Sequence, residues 1–305
     1  MKIIDTHCDT ITELKKQSLY KNNLHSDIMR MQRFTSYAQF FAIYTSNCQN
    51  PKEYVNSIID SFFIHLEENN RYLKLCRNYK DLELSWSEEK NGAFLSIEEA
   101  SCITSPDDVD LLYQKGVRMI ALTWNNDNTL GGGAYGNNIG LTTLGKSVIK
   151  RMNELGIICD VSHSSEQTFY DILSLSTTPP VASHSNSYTL CPDKRNLTDE
   201  QFKTIIFKKG VSGINYYPPF LKKNKICSVS DIVDHIIHFL LLGGENNICL
   251  GSDFDGIDIL PQAFFGVESV YKIFDEMAKR GISNSIQEKI AYKNILRVIS
   301  ICLYF

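Results

Sequence analysis

Features that would tie a chain to nucleic acid, to a bilayer or to an oxidising compartment are scarce in this sequence. The charges nearly cancel, 31 Lys and Arg against 35 Asp and Glu for a net charge of −4, so no basic excess is present to hold a phosphate backbone, and no nucleic-acid partner is expected. The lysines that do gather, Lys208, Lys209, Lys222, Lys223 and Lys225, read as solvated ends of elements. Apolar runs such as Phe239 to Leu242 fall far short of the ~20 residues that a bilayer span needs. Neither the opening Met1-Lys2-Ile3-Ile4-Asp5 nor the apolar stretch Ile299 to Phe305 has the form of a leader or an anchor tail, and no membrane partner is expected. The nine cysteines are odd in number and lack C-x-x-C spacing, which indicates reduced thiols and a cytoplasmic setting. No repeat, low-complexity tract or linker divides the chain, so residues 1–305 are expected to form one domain.

What is present is an alternation of short apolar segments with longer amphipathic ones. Eight strands are predicted: Lys2 to His7, Gln39 to Thr45, Ala93 to Ile97, Val117 to Thr123, Ile157 to Ser162, Pro180 to Ser183, Val211 to Asn215 and Asn247 to Gly251. Helices are predicted over Pro51 to Cys76, Pro106 to Gln114, Thr143 to Leu155, Ser165 to Leu173, Thr198 to Phe207, Ser230 to Leu242, Val267 to Arg280 and Ser285 to Ile299. Strands this apolar are buried on both faces, as in a parallel sheet covered by helices. Thr198-Asp199-Glu200-Gln201 has the form of a capping box. Pro51 and Pro106 suit first-turn positions, and Gly116, Gly156, Gly210, Gly243 and Gly281 follow helical runs as terminators. Eight alternating units favour an α/β fold of the closed (β/α)₈ TIM-barrel type over a doubly wound open sheet.

In such a barrel the chemistry gathers at the C-terminal ends of the strands, where this sequence keeps its rare polar residues. His7 and Asp9 end the first strand, and a two-residue period would turn Asp5, His7 and Asp9 the same way. Glu98 follows Phe94-Leu95-Ser96-Ile97, His163 follows Val161-Ser162, His184 follows Ala182-Ser183, and Asp253 follows Gly251-Ser252. Imidazoles and carboxylates together suit a divalent ion, and Zn²⁺ takes both readily. Two ions would need a shared ligand and an open position, which lets a pair activate water and clamp a carbonyl. One strand-end histidine would read as a core residue; three histidines and three carboxylates, all at predicted strand ends, do not. His25, His65, His235 and His238 lie in helices or early loops and read as surface or packing residues.

These residues sit in an ordered series of motifs. The series runs Ile4-Asp5-Thr6-His7-Cys8-Asp9-Thr10, Leu95-Ser96-Ile97-Glu98-Glu99, Gly140-Leu141-Thr142-Thr143-Leu144-Gly145 and Cys159-Asp160-Val161-Ser162-His163-Ser164. It continues with Ala182-Ser183-His184-Ser185-Asn186, Arg195-Asn196-Leu197-Thr198-Asp199-Glu200 and Gly251-Ser252-Asp253-Phe254-Asp255-Gly256-Ile257. With these motifs the chain resembles the membrane (renal) dipeptidase family of zinc dipeptidases, among the metal-dependent amidohydrolase-type barrels, over nearly its whole length. It looks most similar to the unanchored bacterial members.

The resemblance implies two divalent ions per chain, Zn²⁺ foremost. His7 and Asp9 would hold one, His163 and His184 the other, and Glu98, rather than Glu99, would bridge them. It implies hydrolysis of dipeptides with a free C-terminal carboxylate, by attack of a metal-bridging water with Asp253 as acid/base. Arg195 would grip the carboxylate with its planar fork of donors, Trp124 and Tyr217 would also meet the substrate, and a homodimer is the implied assembly. Asp255 reads equally as an Asx-type loop cap. The chain departs from the animal members at Trp124, where they carry a histidine near the scissile carbonyl, and at Tyr292 and Lys293, where small glycines are usual. The glycine-rich tract Gly131 to Asn138 lacks the Lys-Ser or Lys-Thr of a phosphate loop and reads as a lid over the same face. Two rival readings are a two-metal amidohydrolase acting on a cyclic or non-peptide amide, which would not need Arg195, and an inert scaffold, which would not need a complete ligand set.

Overall fold

Among the described residues nine parallel strands follow one another: β1 Lys2–Cys8, β2 Ser36–Tyr44, β3 Leu73–Leu75, β4 Asn91–Glu98, β5 Val117–Ala121, β6 Ile158–Asp160, β7 Val181–Ala182, β8 Val211–Ile214 and β9 Ile248–Leu250. The computed structural model describes residues 1–45, 48–224 and 226–304; Lys225 and Phe305, placed above in a solvated end and in the apolar closing stretch, lie outside the described residues. The sheet runs β2-β1-β9-β8-β7-β6-β5-β4-β3, and β2 also pairs with β4, from Ala38 against Gly92 to Tyr44 against Glu98. That pairing closes an eight-stranded barrel, with helices in the connections. The chain is a (β/α)₈ barrel.

The extra strand corrects one predicted element. The helix beginning at Pro51 ends at Glu68, and Leu73 to Leu75 form β3 against the first residues of β4. β5 takes over the same side of β4 further along, from Leu95 against Val117. Apolar periodicity alone merges such a short strand into the helix before it. The other strands and the principal helices lie where they were expected, within a few residues at their ends. The Thr198 box is formed in both directions: Gln201 N–H donates to Thr198 Oγ1 at 3.2 Å and Thr198 N–H to Gln201 Oε1 at 2.9 Å. Before β8 the left-handed residue is Lys209 (φ 58°) rather than the expected Gly210.

Inside the barrel Ile4, Phe40, Phe94, Met119, Ile158, Val181, Val211 and Cys249 form one buried cluster. Ile295, Val298 and Ile299 of the last helix, Asn294–Cys302, join it. Asn294 Nδ2 donates to the carbonyl of Ile248 and Arg297 to that of Lys209, so this helix closes the end where the strands begin. Tyr292 and Lys293 precede it in a π-helical turn, Lys289–Lys293, with Tyr292 edge-on to Trp86. The chemistry is left to the opposite end. Two glycines are needed there: a Cβ on Gly213 or Gly251 would stand 2.0 or 1.8 Å from the Ser183 carbonyl oxygen. That oxygen crosses the barrel to accept the Thr6 hydroxyl of β1 at 2.5 Å.

Candidate metal and active site

Six of the strand-end residues converge. His7 Nε2 lies 3.2 Å from Asp9 Oδ2, 3.5 Å from Glu98 Oε2 and 3.8 Å from Asp253 Oδ1. On the other side Glu98 Oε1 is 2.8 Å from His163 Nε2 and 3.6 Å from His184 Nε2, and those two ring nitrogens are 2.8 Å apart. The Glu98 carboxylate therefore divides, one oxygen toward His7 and the other toward His163 and His184. All six side chains are buried. The period of β4 puts Glu98 on the same inward face as Phe94, one at each end of the barrel.

Local backbone geometry aims them. His163 and Asp253 hold φ of 64° and 61°, a left-handed conformation that costs a non-glycine residue about 1–3 kcal/mol and clusters at functional sites. Asp5 does not join His7 and Asp9 as the two-residue period suggested. The pairing of β1 with β2 shifts between Asp5 and Cys8, and Asp5 Oδ1 instead accepts the main-chain N–H groups of His7 (3.0 Å) and Ser252 (3.1 Å). Asp253 is held by Asn215, whose amide donates to Oδ2 at 2.9 Å and leaves Oδ1 on the His7 side. His163 Nδ1 is 3.0 Å from Asn125 Oδ1. Asn125 and Asn215 were not foreseen, although the first lies just past one predicted strand and the second ends another; attention to ionisable residues alone passes over neutral amides.

The electrostatics of the cluster call for positive charge. Burial and the neighbouring Glu98 push the Asp9 carboxyl up to about 8. Burial also raises Asp253, against the pull of His7. Burial opposes the charge of Glu98, yet His7 and His163 draw its carboxyl below the usual range. Burial and then Arg195 push His163 down to about 3, so it is a neutral imidazole with a lone pair to offer. Asp9 and Asp253 are thus held back from ionising, first by burial, and the His163 and His184 imidazoles, nitrogen facing nitrogen, are pushed down. Against burial, Glu98 and Asp9 raise His7 well above its ordinary value. Neutral imidazoles and crowded carboxyls suit a divalent cation. His7, Glu98 and His184, and separately His7, Asp9 and Asp253, bring donor atoms within 4.8 Å of one another. The second set includes the residue expected to be the acid/base.

Above the cluster lies a cleft of about 390 Å³, lined among others by Trp124, Tyr217, Phe220, Glu13 and Tyr44. Trp124 stacks on His163 with centroids 5.7 Å apart and meets Tyr44 edge-on at 5.1 Å. Arg195 sits behind this wall, buried, with Nη2 donating to the His184 carbonyl at 3.1 Å and the guanidinium 5.6 Å from the Phe220 ring; its Nε has no hydrogen-bond partner among the described residues. Glu99 turns away, taking the Thr45 and Ser101 hydroxyls and the Asn128 amide. Asp255 ties loops together, accepting the His25 N–H at 2.5 Å and the Thr10 hydroxyl at 2.6 Å. His235 is buried between the Ser187 N–H and the Leu221 carbonyl, a packing role as expected. The tract expected to be a lid is tied at its centre, Ala134 N–H donating to the His163 carbonyl at 2.8 Å and Tyr135 Oη to Asp193 at 2.5 Å.

A barrel of this topology with buried imidazoles and carboxylates at its strand ends has the donor groups of a metal centre. The model of the membrane dipeptidase family, peptidase family M19, matches residues 1–302, and the chain belongs to that family. With that family it is a metal-dependent dipeptidase. An uncharacterized protein in the pqqA 5′ region of Klebsiella pneumoniae is 34% identical over 74% of this chain and 88% of its own length. An uncharacterized dipeptidase of Schizosaccharomyces pombe is 30% identical over 97% of this chain and 79% of its own. Among solved structures, a metallopeptidase from Rhodobacter sphaeroides liganded with a phosphinate mimic of the dipeptide L-Ala-D-Ala superposes with a TM-score of 0.90 at 22% identity, covering 99% of both chains. An M19 metallopeptidase, dipeptidase AC, gives 0.92 at 23%, again over 99% of both. Among the described residues no helix is long and apolar enough to cross a membrane.

Proposed function

We propose that this chain hydrolyses dipeptides bearing a free C-terminal carboxylate at a centre of two divalent ions, Zn²⁺ foremost. The observation that carries this reading is the divided Glu98 carboxylate, with His7, itself beside Asp9, near one oxygen and His163 and His184 near the other. That is the donor arrangement of a shared ligand between two ions. Ions bound there would lower the pKa of a water and polarise the scissile carbonyl. Asp253 Oδ1, left free by the Asn215 bond to Oδ2, takes the proton of the attacking water and passes it to the leaving amine nitrogen. Arg195, with its unpartnered Nε, supplies the cation for the substrate carboxylate, while Trp124 and Tyr217 form the apolar wall and exclude water. A phosphinate dipeptide mimic on the Rhodobacter sphaeroides relative is consistent with this substrate class. The same reading takes residues 1–305 as one domain. Nine free thiols favour a reducing, cytoplasmic setting, and the homodimer rests on family resemblance alone.

The test compares a dipeptide with its C-terminal amide on zinc- or manganese-loaded protein, beside elemental analysis. Two ions per chain and turnover confined to the free acid are expected. Equal cleavage of both would remove the carboxylate clamp, and fewer than two ions with no hydrolysis of any dipeptide would sink the reading.

A further inference from the structure

Behind His184 runs a chain of polar contacts that the reading above leaves unused. Asp160, the last residue of β6, is 3% exposed and does not line the cleft. Its Oδ1 accepts the main-chain N–H of Ser162 at 2.9 Å and of Ser183 at 3.0 Å, and its Oδ2 accepts the Ser183 hydroxyl. The same Ser183 Oγ lies 2.7 Å from His184 Nδ1. The three contacts with Ser162 and Ser183 each bring a donor to the Asp160 carboxylate.

A hydroxyl has one proton to give. Spent on Asp160, it leaves Ser183 Oγ as the acceptor of its contact with His184, so the imidazole proton resides on Nδ1. His184 Nε2 then presents a lone pair toward Glu98 Oε1, 3.6 Å away, in the space it shares with His163 Nε2. Ser162 steadies the same residue from its backbone, its Oγ accepting the His184 N–H at 3.1 Å. Histidines that bind metals commonly have their other nitrogen engaged in this manner, which fixes both tautomer and ring orientation.

We propose that Asp160 is a positioning residue of the centre: acting through Ser183, it holds His184 in the Nδ1-protonated form that leaves Nε2 free for a cation. The proposal rests on the reading of His184 as a metal ligand. Ser183→Ala removes the relay yet keeps the main-chain N–H that binds Asp160, so the β6–β7 clasp survives. Asp160→Asn does more. With its oxygen kept by the two main-chain N–H groups, its amide donates to Ser183 Oγ, turns the hydroxyl proton toward Nδ1 and drives the imidazole proton onto Nε2.

In a chelator-competition titration with Zn²⁺, Ser183→Ala is expected to lose roughly 10–100-fold in affinity for one ion, and Asp160→Asn at least as much. The unfolding midpoint of metal-free Ser183→Ala should stay close to wild type, which separates positioning from folding. Long-range ¹H–¹⁵N spectra of metal-free, histidine-labelled protein should report Nδ1–H for His184 in the wild type. Zinc affinity unchanged in Ser183→Ala, where His184→Ala loses an ion, would overturn this proposal alone, as would an Nε2–H signal in the wild type. Both ions retained in His184→Ala would overturn the ligand reading and this proposal with it.

Discussion

At the scale of the residue, the two roles open to Asp253 are separable by experiment. Its Oδ1 lies 3.8 Å from His7 Nε2, close enough to complete a metal set with His7 and Asp9, while Asn215 occupies Oδ2. A ligand must be replaced to recover metal; an acid/base must be replaced to recover rate. Asp253→Asn preserves shape and the Asn215 contact but cannot accept a proton. The expected outcome is two retained ions with kcat lowered by roughly 10²–10⁴-fold. Restoration of turnover on titrating excess zinc into the variant would make Asp253 a ligand. Arg195 invites a different change. Lys in its place keeps the charge but not the planar fork, so Arg195→Lys should lower kcat/KM chiefly through KM, and truncated charged contacts of this kind are worth roughly 2–5 kcal/mol. An unchanged kcat/KM would mean that another group holds the carboxylate.

At the scale of the element, strand ends were legible because a run such as Phe94-Leu95-Ser96-Ile97 has no reason to finish on a buried Glu98 other than chemistry. The caps were legible for a local reason: Thr198 and Gln201 satisfy each other within one turn. β3 was not legible, since three residues are too few to show a period, and it is the start of β4 that makes Leu73 to Leu75 a strand. Nor was the turning of Asp5 away from His7, which depends on a register shift between β1 and its neighbour. Local and long-range terms should therefore separate in stability. Thr198→Ala ought to cost about 1 kcal/mol, the worth of one cap. Gly251→Ala would put a methyl 1.8 Å from the Ser183 carbonyl that Thr6 holds across the barrel, and should cost more, at least the roughly 1–3 kcal/mol of an overpacked core. Urea unfolding of both variants checks the order; a Gly251→Ala no less stable than Thr198→Ala would show that the barrel end yields easily.

At the scale of the molecule, the cluster of donors is supported from outside itself. Asp5 ties the main chain at His7 to that at Ser252, Asp160 ties Ser162 to Ser183, Asn215 holds Asp253 and Asn125 meets His163. Beneath them the inner apolar cluster and the last helix close the opposite end of the barrel without reference to the site. A fold so arranged does not need ions to form, unlike small domains whose only core is a metal. Yet Asp9, Glu98 and Asp253 are buried side by side, and their mutual repulsion is a cost that a bound cation removes. Stripping metal with a chelator should therefore leave the far-UV circular dichroism unchanged and lower the melting temperature. Restoring zinc should raise it again with concentration, since a ligand at a hundred times its Kd adds about 2.7 kcal/mol to the folded state. Loss of secondary structure on chelation would make the ions part of the fold. A melting temperature indifferent to zinc would mean that the cluster binds none, and the proposed hydrolysis would have to find another source for its nucleophile.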